Sequence, residues 1–240
     1  MFSQLPTVVK NLLIVNGILF LVTILSGSSG LNLADHLGLH HWSSELFKPH
    51  QLITYMFMHG GLGHIFSNMF GLFMFGRVLE QVWGAKKFFT FYMFTGIGAG
   101  LIQLIVTEIR IQSLIGDIDP QLYELVLRDG LDVLKSGQNY VDPVARELNN
   151  LINISTVGAS GSIFGILLAF GMLFPNTELM LLFLPIPIKA KYFVTFYGIF
   201  ELYQGFANNP NDNVAHFAHL GGMLIAFILI RYWKKNTGHL

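Results

Sequence analysis

Cysteine is absent from this 240-residue chain, and charged residues are scarce, at 12% of the sequence. The absence of cysteine excludes disulfides, thiolate metal sites and a cysteine nucleophile together. The scarcity of charge accompanies a hydrophobic fraction of 52% and a mean hydropathy of +0.55. A soluble globular domain of this length does not need so many apolar residues to build its core. The composition therefore indicates a protein that is embedded in lipid.

Six apolar stretches, each rich in Leu, Ile, Phe, Met and Gly, predict transmembrane helices. They cover residues 8–26, 57–76, 86–107, 158–175, 189–207 and 214–233. Each approaches the roughly 20 residues that a helix needs to cross a hydrocarbon core of about 30 Å. The sequence therefore predicts an all-α membrane protein with six transmembrane helices, in which residues 1–240 form a single integral membrane domain.

Basic residues are distributed unequally between the two sides that this arrangement creates. If the amino terminus is cytoplasmic, nine of the fourteen Lys and Arg residues lie inside and five lie outside, whereas eleven acidic residues lie outside. The positive-inside rule then predicts that both termini are cytoplasmic. We accordingly expect a multi-pass protein of the cell (inner) membrane.

The first stretch has an alternative interpretation as a cleaved signal peptide. Lys10 precedes an apolar run, and residues 26–30 are small and polar, as in such peptides. On that alternative, five spans remain and the two termini lie on opposite sides of the membrane.

Residues 108–155, between the third and fourth spans, differ in composition, with eight acidic and four basic residues. Asp119 and Asp142 each stand before a proline, the pattern of an N-cap residue followed by proline at the first helical position. Apolar residues then recur at three- and four-residue spacing, as they do in amphipathic helices. We therefore predict an extramembrane insert of two short surface helices, which either only packs on the bundle or handles substrate.

Span two carries polar residues that hydrocarbon does not tolerate unless they face the bundle or a water-filled cavity. Gly60, His64, Asn68 and Gly71 recur at i, i+4, i+8 and i+11, so they share one helical face. That face is small and polar, and we expect it to look inward. From the residues alone, a hydrogen-bonded packing seam and a functional site both fit it.

Spans four and six each combine one polar residue with small residues that let helices approach closely. In span four, Ser160 lies beside a ridge of small residues, which are Gly161, Gly165 and Ala169. In span six, His219 shares one stripe with Gly222 and Ala226. A serine hydroxyl is a weak nucleophile until an adjacent base takes its proton. Close packing of these two helices would therefore assemble the parts that covalent acyl transfer requires.

Three motifs together resemble those of the rhomboid family of intramembrane serine proteases. Residues 158–161 (Gly-Ala-Ser-Gly) resemble the GxSG motif of that family, and residues 218–222 (Ala-His-Leu-Gly-Gly) resemble the histidine motif of its sixth helix. Residues 59–68 match the polar motif of its second helix. The motifs occur in the family's order, and the resemblance covers about residues 45–233.

The resemblance implies a rhomboid-like bundle of six helices and a serine–histidine dyad without a catalytic carboxylate. His219 would deprotonate Ser160, which would attack a peptide carbonyl. The oxyanion would be bound by the Ser160 backbone N–H together with the side chains of His64 and Asn68. His59 corresponds to a position of structural support.

The implied activity is that of an endopeptidase that cleaves transmembrane segments of other membrane proteins within the lipid bilayer. Gly222 would support this site by allowing close helix packing. We expect no cofactor, no metal ion and no nucleic-acid partner.

The sequence departs from the pattern of the family in three places. Phe164 stands where some rhomboids carry a tyrosine against the catalytic histidine, so ring stacking is retained but a hydroxyl is lost. His50 and Gln51 stand where some members have Trp-Arg, which puts the lipid contacts of that loop in doubt. Ala226 replaces the second glycine of a GxxxG motif, a change small enough to permit close packing.

His216 is an alternative base, since it lies one turn from His219. We prefer His219 because Gly222 at i+3 reproduces the family motif. A metal enzyme is a second alternative, with histidines of spans two and six as ligands: His59, His64, His216 and His219. It lacks an HExxH motif and any carboxylate beside those histidines.

A transporter would also explain His, Asn and Glu201 within the spans, but no inverted repeat is visible in the sequence. We expect Glu201 near the outer end of span five, where interfacial water hydrates it. A catalytically inactive rhomboid-like protein that binds clients is the remaining alternative. Such proteins lose the serine or the histidine, and both are present here.

Overall fold

The computed structural model describes residues 5–27, 30–181, 184–207 and 214–237. Its helices, in chain order, are α1 (Thr7–Gly27), α2 (Leu33–Leu37), α3 (Gln51–Thr54), α4 (Leu62–Gly71), α5 (Arg77–Trp83), α6 (Ala85–Ile115), α7 (Pro120–Lys135), α8 (Pro143–Asn153), α9 (Ser160–Leu173), α10 (Ala190–Ala207) and α11 (His216–Thr237). Two strands, β1 (Glu178–Leu181) and β2 (Leu184–Lys189), lie between α9 and α10. A 3₁₀ turn, Tyr55–Phe57, follows α3, and a π-helical turn, Leu72–Gly76, joins α4 to α5.

Among the described residues, four helical stretches are long and apolar enough to cross a membrane: Thr7–Gly27, Leu62–Trp83, Ala85–Ile115 and His216–Lys235. The prediction of a mainly helical membrane protein is thereby confirmed. The spans predicted at 158–175 and 189–207 correspond to α9 and α10. α9 is apolar but has only 14 residues, about 21 Å at 1.5 Å per residue. α10 is the more polar of the two because it carries Lys191, Glu201 and Gln204.

A β-hairpin between α9 and α10 corrects the all-α prediction. Glu178 pairs with Lys189, and Leu179 pairs with Ile188, in antiparallel register. Prolines at 185 and 187 cannot continue a helix, so the chain stays extended until α10 begins at Ala190. The paired residues lie only 3 to 11 positions apart along the chain, but the apolar pattern of the sequence does not reveal their pairing.

α9 and α11 cross at a contact between two glycines. A Cβ added to Gly222 would overlap the carbonyl group of Gly161, and a Cβ added to Gly161 would lie 2.5 Å from the Cβ of Ala99. Ala226, one turn beyond Gly222, is fully buried. These small residues let the two backbones touch, as in other membrane helix pairs. The crossing brings the start of α9 against the start of α11.

One end of the bundle carries most of the basic residues of the spanning helices. There the Glu80 carboxylate, in the middle of the short helix α5, accepts hydrogen bonds from Val8 N (2.9 Å) and Val9 N (2.8 Å) in the first turn of α1. At the same end, the Lys87 ammonium lies 4.6 Å from the ring centroid of Trp233, near the end of α11. We call this the basic end; its cations are Lys10, Arg77, Lys86, Lys87, Arg231, Lys234 and Lys235.

The opposite end, which we call the insert end, contains α7, α8 and the last turns of α6. Asp119 caps α7 by accepting from Gln121 N, and Asp142 caps α8 by accepting from Ala145 N, as the sequence predicts. α6 continues to Ile115, two turns past its predicted end, because these turns pack against the two insert helices. Their apolar side chains form a separate small core: Ile111, Ile118, Val126, Ala145, Leu148 and Ile152.

The loop before α3 is fastened to the segment that leads into α9. Leu39 and Thr156 exchange two backbone hydrogen bonds of 2.9 and 2.8 Å. Gln51 is buried, donates to the Leu46 carbonyl (2.8 Å) and accepts from His40 N (3.2 Å). Gln51 therefore holds this loop together and is not available for lipid contact. The start of α9 lies toward the insert end as a result.

Candidate active site

Ser160 is the first residue of α9, and its Oγ lies 2.8 Å from His219 Nε2. The approach to this position depends on Gly158, whose φ of 131° lies in a region that side-chain-bearing residues rarely adopt. The first N–H groups of a helix have no partner within the helix, and they point toward its amino-terminal end. The hydroxyl of Ser160 thus lies beside both a histidine ring and backbone donors.

The His219 ring is held between α9 and α10. Phe164, one turn beyond Ser160, stacks on it with a centroid separation of 4.1 Å and an interplanar angle of 9°. His219 is 8% exposed. The expected retention of ring stacking at Phe164 is confirmed. His216, the alternative base, contacts Glu201, and His219 is the histidine adjacent to the Ser160 hydroxyl.

Glu201 lies against both histidines of α11. Its Oε2 is 2.8 Å from His219 Nδ1 and 2.6 Å from His216 Nδ1. Glu201 is only 3% exposed, so the expectation that interfacial water hydrates it is wrong. Sequence reasoning missed this neighbour of His219. The available signal was a carboxylate within an otherwise apolar helix, which in a membrane protein needs hydrogen-bond partners.

His64 approaches the backbone just before Ser160. A Cβ added to Gly158 would lie 2.7 Å from His64 Nε2. His64 Nδ1 accepts a hydrogen bond from Gly60 N at 3.3 Å. In the neutral imidazole the nitrogen that does not accept carries the proton, so Nε2–H of His64 is a donor that faces the Gly158–Ser160 segment.

Asn68 and His59 support the position of His64. Asn68 is buried, and its Nδ2 donates to the His64 carbonyl at 2.9 Å within α4. Since the amide has two hydrogens, one remains for another acceptor. His59 is 3% exposed and meets the His64 ring edge to face, at a centroid distance of 5.1 Å. Both residues therefore contact His64, whereas the Ser160 hydroxyl contacts His219.

Among the described residues, one group has a geometry that could hold a metal ion, and it consists of Glu201, His216 and His219. It differs from the four histidines considered in the sequence, because His59 and His64 are not part of it. Two ligands of a tetrahedral zinc ion at 2.0–2.1 Å lie about 3.3 Å apart. The separations of 2.6 and 2.8 Å to Glu201 Oε2 match hydrogen bonds better.

Comparison with known proteins gives a consistent match to one family. The family model described as Rhomboid domain matches residues 46–116 and 130–235. Rhomboid-like protein 16, chloroplastic, of Arabidopsis thaliana is 26% identical over 222 residues, which are 92% of this chain and 60% of that protein. Rhomboid protein 1, mitochondrial, of Saccharomyces cerevisiae is 24% identical over 184 residues, 77% of this chain and 42% of that protein.

Rhomboid-like protein 11, chloroplastic, of Arabidopsis thaliana is 33% identical over a shorter region of 97 residues, 38% of this chain. The chain spans 34% to 60% of the length of these relatives. Their names assign them to chloroplasts or mitochondria. The prediction of a cell (inner) membrane protein with both termini cytoplasmic is therefore wrong, because a count of loop charges does not identify the membrane.

Proposed function

The chain belongs to the rhomboid family, and from that premise we propose that it is an intramembrane serine endopeptidase. Its substrates are transmembrane segments of other membrane proteins, reached within the lipid bilayer. The observation that carries the proposal is the 2.8 Å separation between Ser160 Oγ and His219 Nε2. At that distance the histidine can take the hydroxyl proton as the oxygen attacks.

Acylation begins when His219 removes the Ser160 proton and the Ser160 oxygen bonds to the peptide carbonyl carbon. The resulting imidazolium returns its proton to the leaving amine, the C–N bond breaks, and an acyl-enzyme remains. A water molecule then attacks the ester, with His219 again as base, and releases the second product. His219 then donates the proton taken from water to the departing Ser160 oxygen, so the free enzyme is regenerated without a cofactor.

The oxyanion of the tetrahedral intermediate needs donors near Ser160. The backbone N–H of Ser160 lies at the amino-terminal end of α9, where the helix dipole favours negative charge. His64 offers Nε2–H beside Gly158, and Asn68 has one amide hydrogen besides the one given to the His64 carbonyl. Loss of one such donor typically lowers kcat about 100- to 1,000-fold.

The test uses the purified, detergent-solubilised chain with a fluorophosphonate probe and with a model single-span substrate. We expect the probe to label Ser160. Ser160→Ala should abolish labelling and cleavage, whereas Tm should stay close to that of the unchanged chain, because only one oxygen is lost. Ser162→Ala is a matched control, since Ser162 Oγ is buried and donates to the Tyr92 carbonyl at 2.7 Å; this variant should still be labelled.

The histidines give a second arm of the same test. His219→Ala should remove labelling and cleavage together, because no base remains beside Ser160. His216→Ala should keep measurable amounts of both. Cleavage by purified Ser160→Ala would exclude the serine mechanism. A chain that neither reacts with the probe nor cleaves would instead be a client-binding member of the family.

A further inference from the structure

Glu201 and His216 are buried beside the proposed site, yet the serine–histidine mechanism does not use them. A carboxylate is costly to bury unless hydrogen-bond donors replace its water. Glu201 has two such donors, both from α11. Its position against His219 points to a role in the chemistry of that ring.

We propose that Glu201 completes a Ser160–His219–Glu201 triad, as a positioning residue that acts through His219. The inference rests on the proposed function. It departs from the dyad without a carboxylate that the family resemblance implies.

The first step of the argument concerns the tautomer of His219. The distance of 2.8 Å from His219 Nδ1 to Glu201 Oε2 is that of a charge-assisted hydrogen bond. An ionised carboxylate only accepts hydrogen bonds, so the proton lies on Nδ1. Nε2 is then the acceptor that faces the Ser160 hydroxyl. Glu201 therefore selects the tautomer that a general base requires.

The second step concerns the charge that develops during catalysis. When His219 takes the proton of Ser160, its ring becomes an imidazolium. Glu201 lies at hydrogen-bond distance from that cation, in surroundings where both side chains are almost fully buried. The carboxylate stabilises the cation without itself being protonated.

His216 fixes Glu201 from a second direction. Its Nδ1 lies 2.6 Å from the same Oε2, and its ring meets the His219 ring edge to face at 6.3 Å. The carboxylate is thus held by two donors on adjacent turns of α11. This arrangement ties α10 to α11 and sets the direction from which Glu201 meets His219.

The test compares Glu201→Gln and Glu201→Asp in the full chain, with the active fraction titrated by the fluorophosphonate probe. We expect Glu201→Gln to lower kcat about 100- to 10,000-fold and to change KM by less than about threefold. The amide can donate to Nδ1 and so favour the wrong tautomer. Glu201→Asp keeps the charge on a shorter side chain, and its kcat should lie between those of the unchanged chain and Glu201→Gln.

Glu108→Gln is the matched control. Glu108 Oε2 lies 3.1 Å from Nε2 of the buried His41, so this variant removes a carboxylate from a histidine outside the site. Its kcat should be unchanged. The inference is overturned if titrated Glu201→Gln has a kcat within about threefold of the unchanged chain, or if Glu201→Asp is no more active than Glu201→Gln. Cleavage by Ser160→Ala would instead contradict the proposed function, so the two failures are distinguishable.

Discussion

At the scale of single residues, Gly158 meets two requirements that no other residue type meets together. Its φ of 131° disfavours any side chain. In addition, a Cβ at this position would lie 2.7 Å from His64 Nε2 and 2.9 Å from His64 Cε1. The first requirement concerns the entry of the chain into α9, and the second concerns the space for a proposed oxyanion donor.

Gly158→Ala should therefore reduce both stability and turnover. We expect a backbone cost of about 1–3 kcal/mol and a fall in kcat of at least about tenfold, because the methyl group displaces His64. Tm and kcat measured on one purified sample give both effects. Gly17→Ala is the control, since a Cβ there meets nothing within 4 Å. A Gly158→Ala enzyme with the original Tm and kcat would contradict this account.

Ser160, His64 and His219 could be named from the sequence because each lies in a short local motif. Glu201 could not be assigned a contact in this way. Its chain neighbours Phe200 and Leu202 are 43% and 45% exposed, so the one face of α10 that meets α11 is narrow. Which residue occupies that face depends on the packing of α10 against α9 and α11, and the sequence of α10 alone does not specify it.

At the scale of helices, α1 is held mainly through its first turns. Its buried residues are Val9, Leu12 and Asn16, whereas most of its other side chains are partly or fully exposed. The buried Glu80 carboxylate accepts the N–H groups of Val8 and Val9. These N–H groups belong to the helix start, which has no internal acceptors and carries the positive end of the helix dipole.

Loss of this cap should destabilise the protein without changing its chemistry. Glu80→Ala leaves two backbone donors without their acceptor, and each such buried group costs about 1–3 kcal/mol. We expect a clearly lower Tm, a smaller loss in Glu80→Gln, and a normal kcat in the folded fraction, since Glu80 lies at the basic end. Gln81→Ala, at an exposed position, serves as the control. Equal Tm values for Glu80→Ala and Gln81→Ala would refute the capping role.

Local signals also explain which elements were predicted well. The starts of α7 and α8 follow from an aspartate before a proline, and both caps form as expected. The end of α6 follows instead from contacts between distant segments. α6 continues past its predicted end because Ile111 packs with Val126 and Leu148 of the insert helices. These contacts cannot be read from a window of neighbouring residues.

At the scale of the whole molecule, the two ends of the bundle differ in charge. The basic end joins the start of α1, the end of α5, the start of α6 and the end of α11 through the contacts of Glu80 and Trp233. The insert end holds eight acidic and four basic residues in 108–155. Loop cations are retained on one side of a membrane, so the two ends should face opposite compartments, whichever membrane holds the protein.

The absence of cysteine makes this arrangement directly measurable, because one introduced thiol is the only site for a maleimide. Gln138→Cys places a thiol at the insert end, and Lys234→Cys places one at the basic end; both positions are exposed. In sealed proteoliposomes a membrane-impermeant maleimide reaches only the end of each molecule that faces outward. The labelled fraction of Gln138→Cys and the labelled fraction of Lys234→Cys should therefore add up to one. Detergent should make each variant fully reactive.

A variant that carries both thiols sharpens the measurement, since no single molecule should take up two labels before detergent is added. Mixed orientations in the vesicles do not affect this expectation, because each molecule exposes one end or the other. Intact mass measurement of the purified protein counts the labels on each molecule. Doubly labelled molecules from sealed vesicles would show that residues 138 and 234 face the same compartment, and the arrangement of the bundle across the membrane would then have to be redrawn.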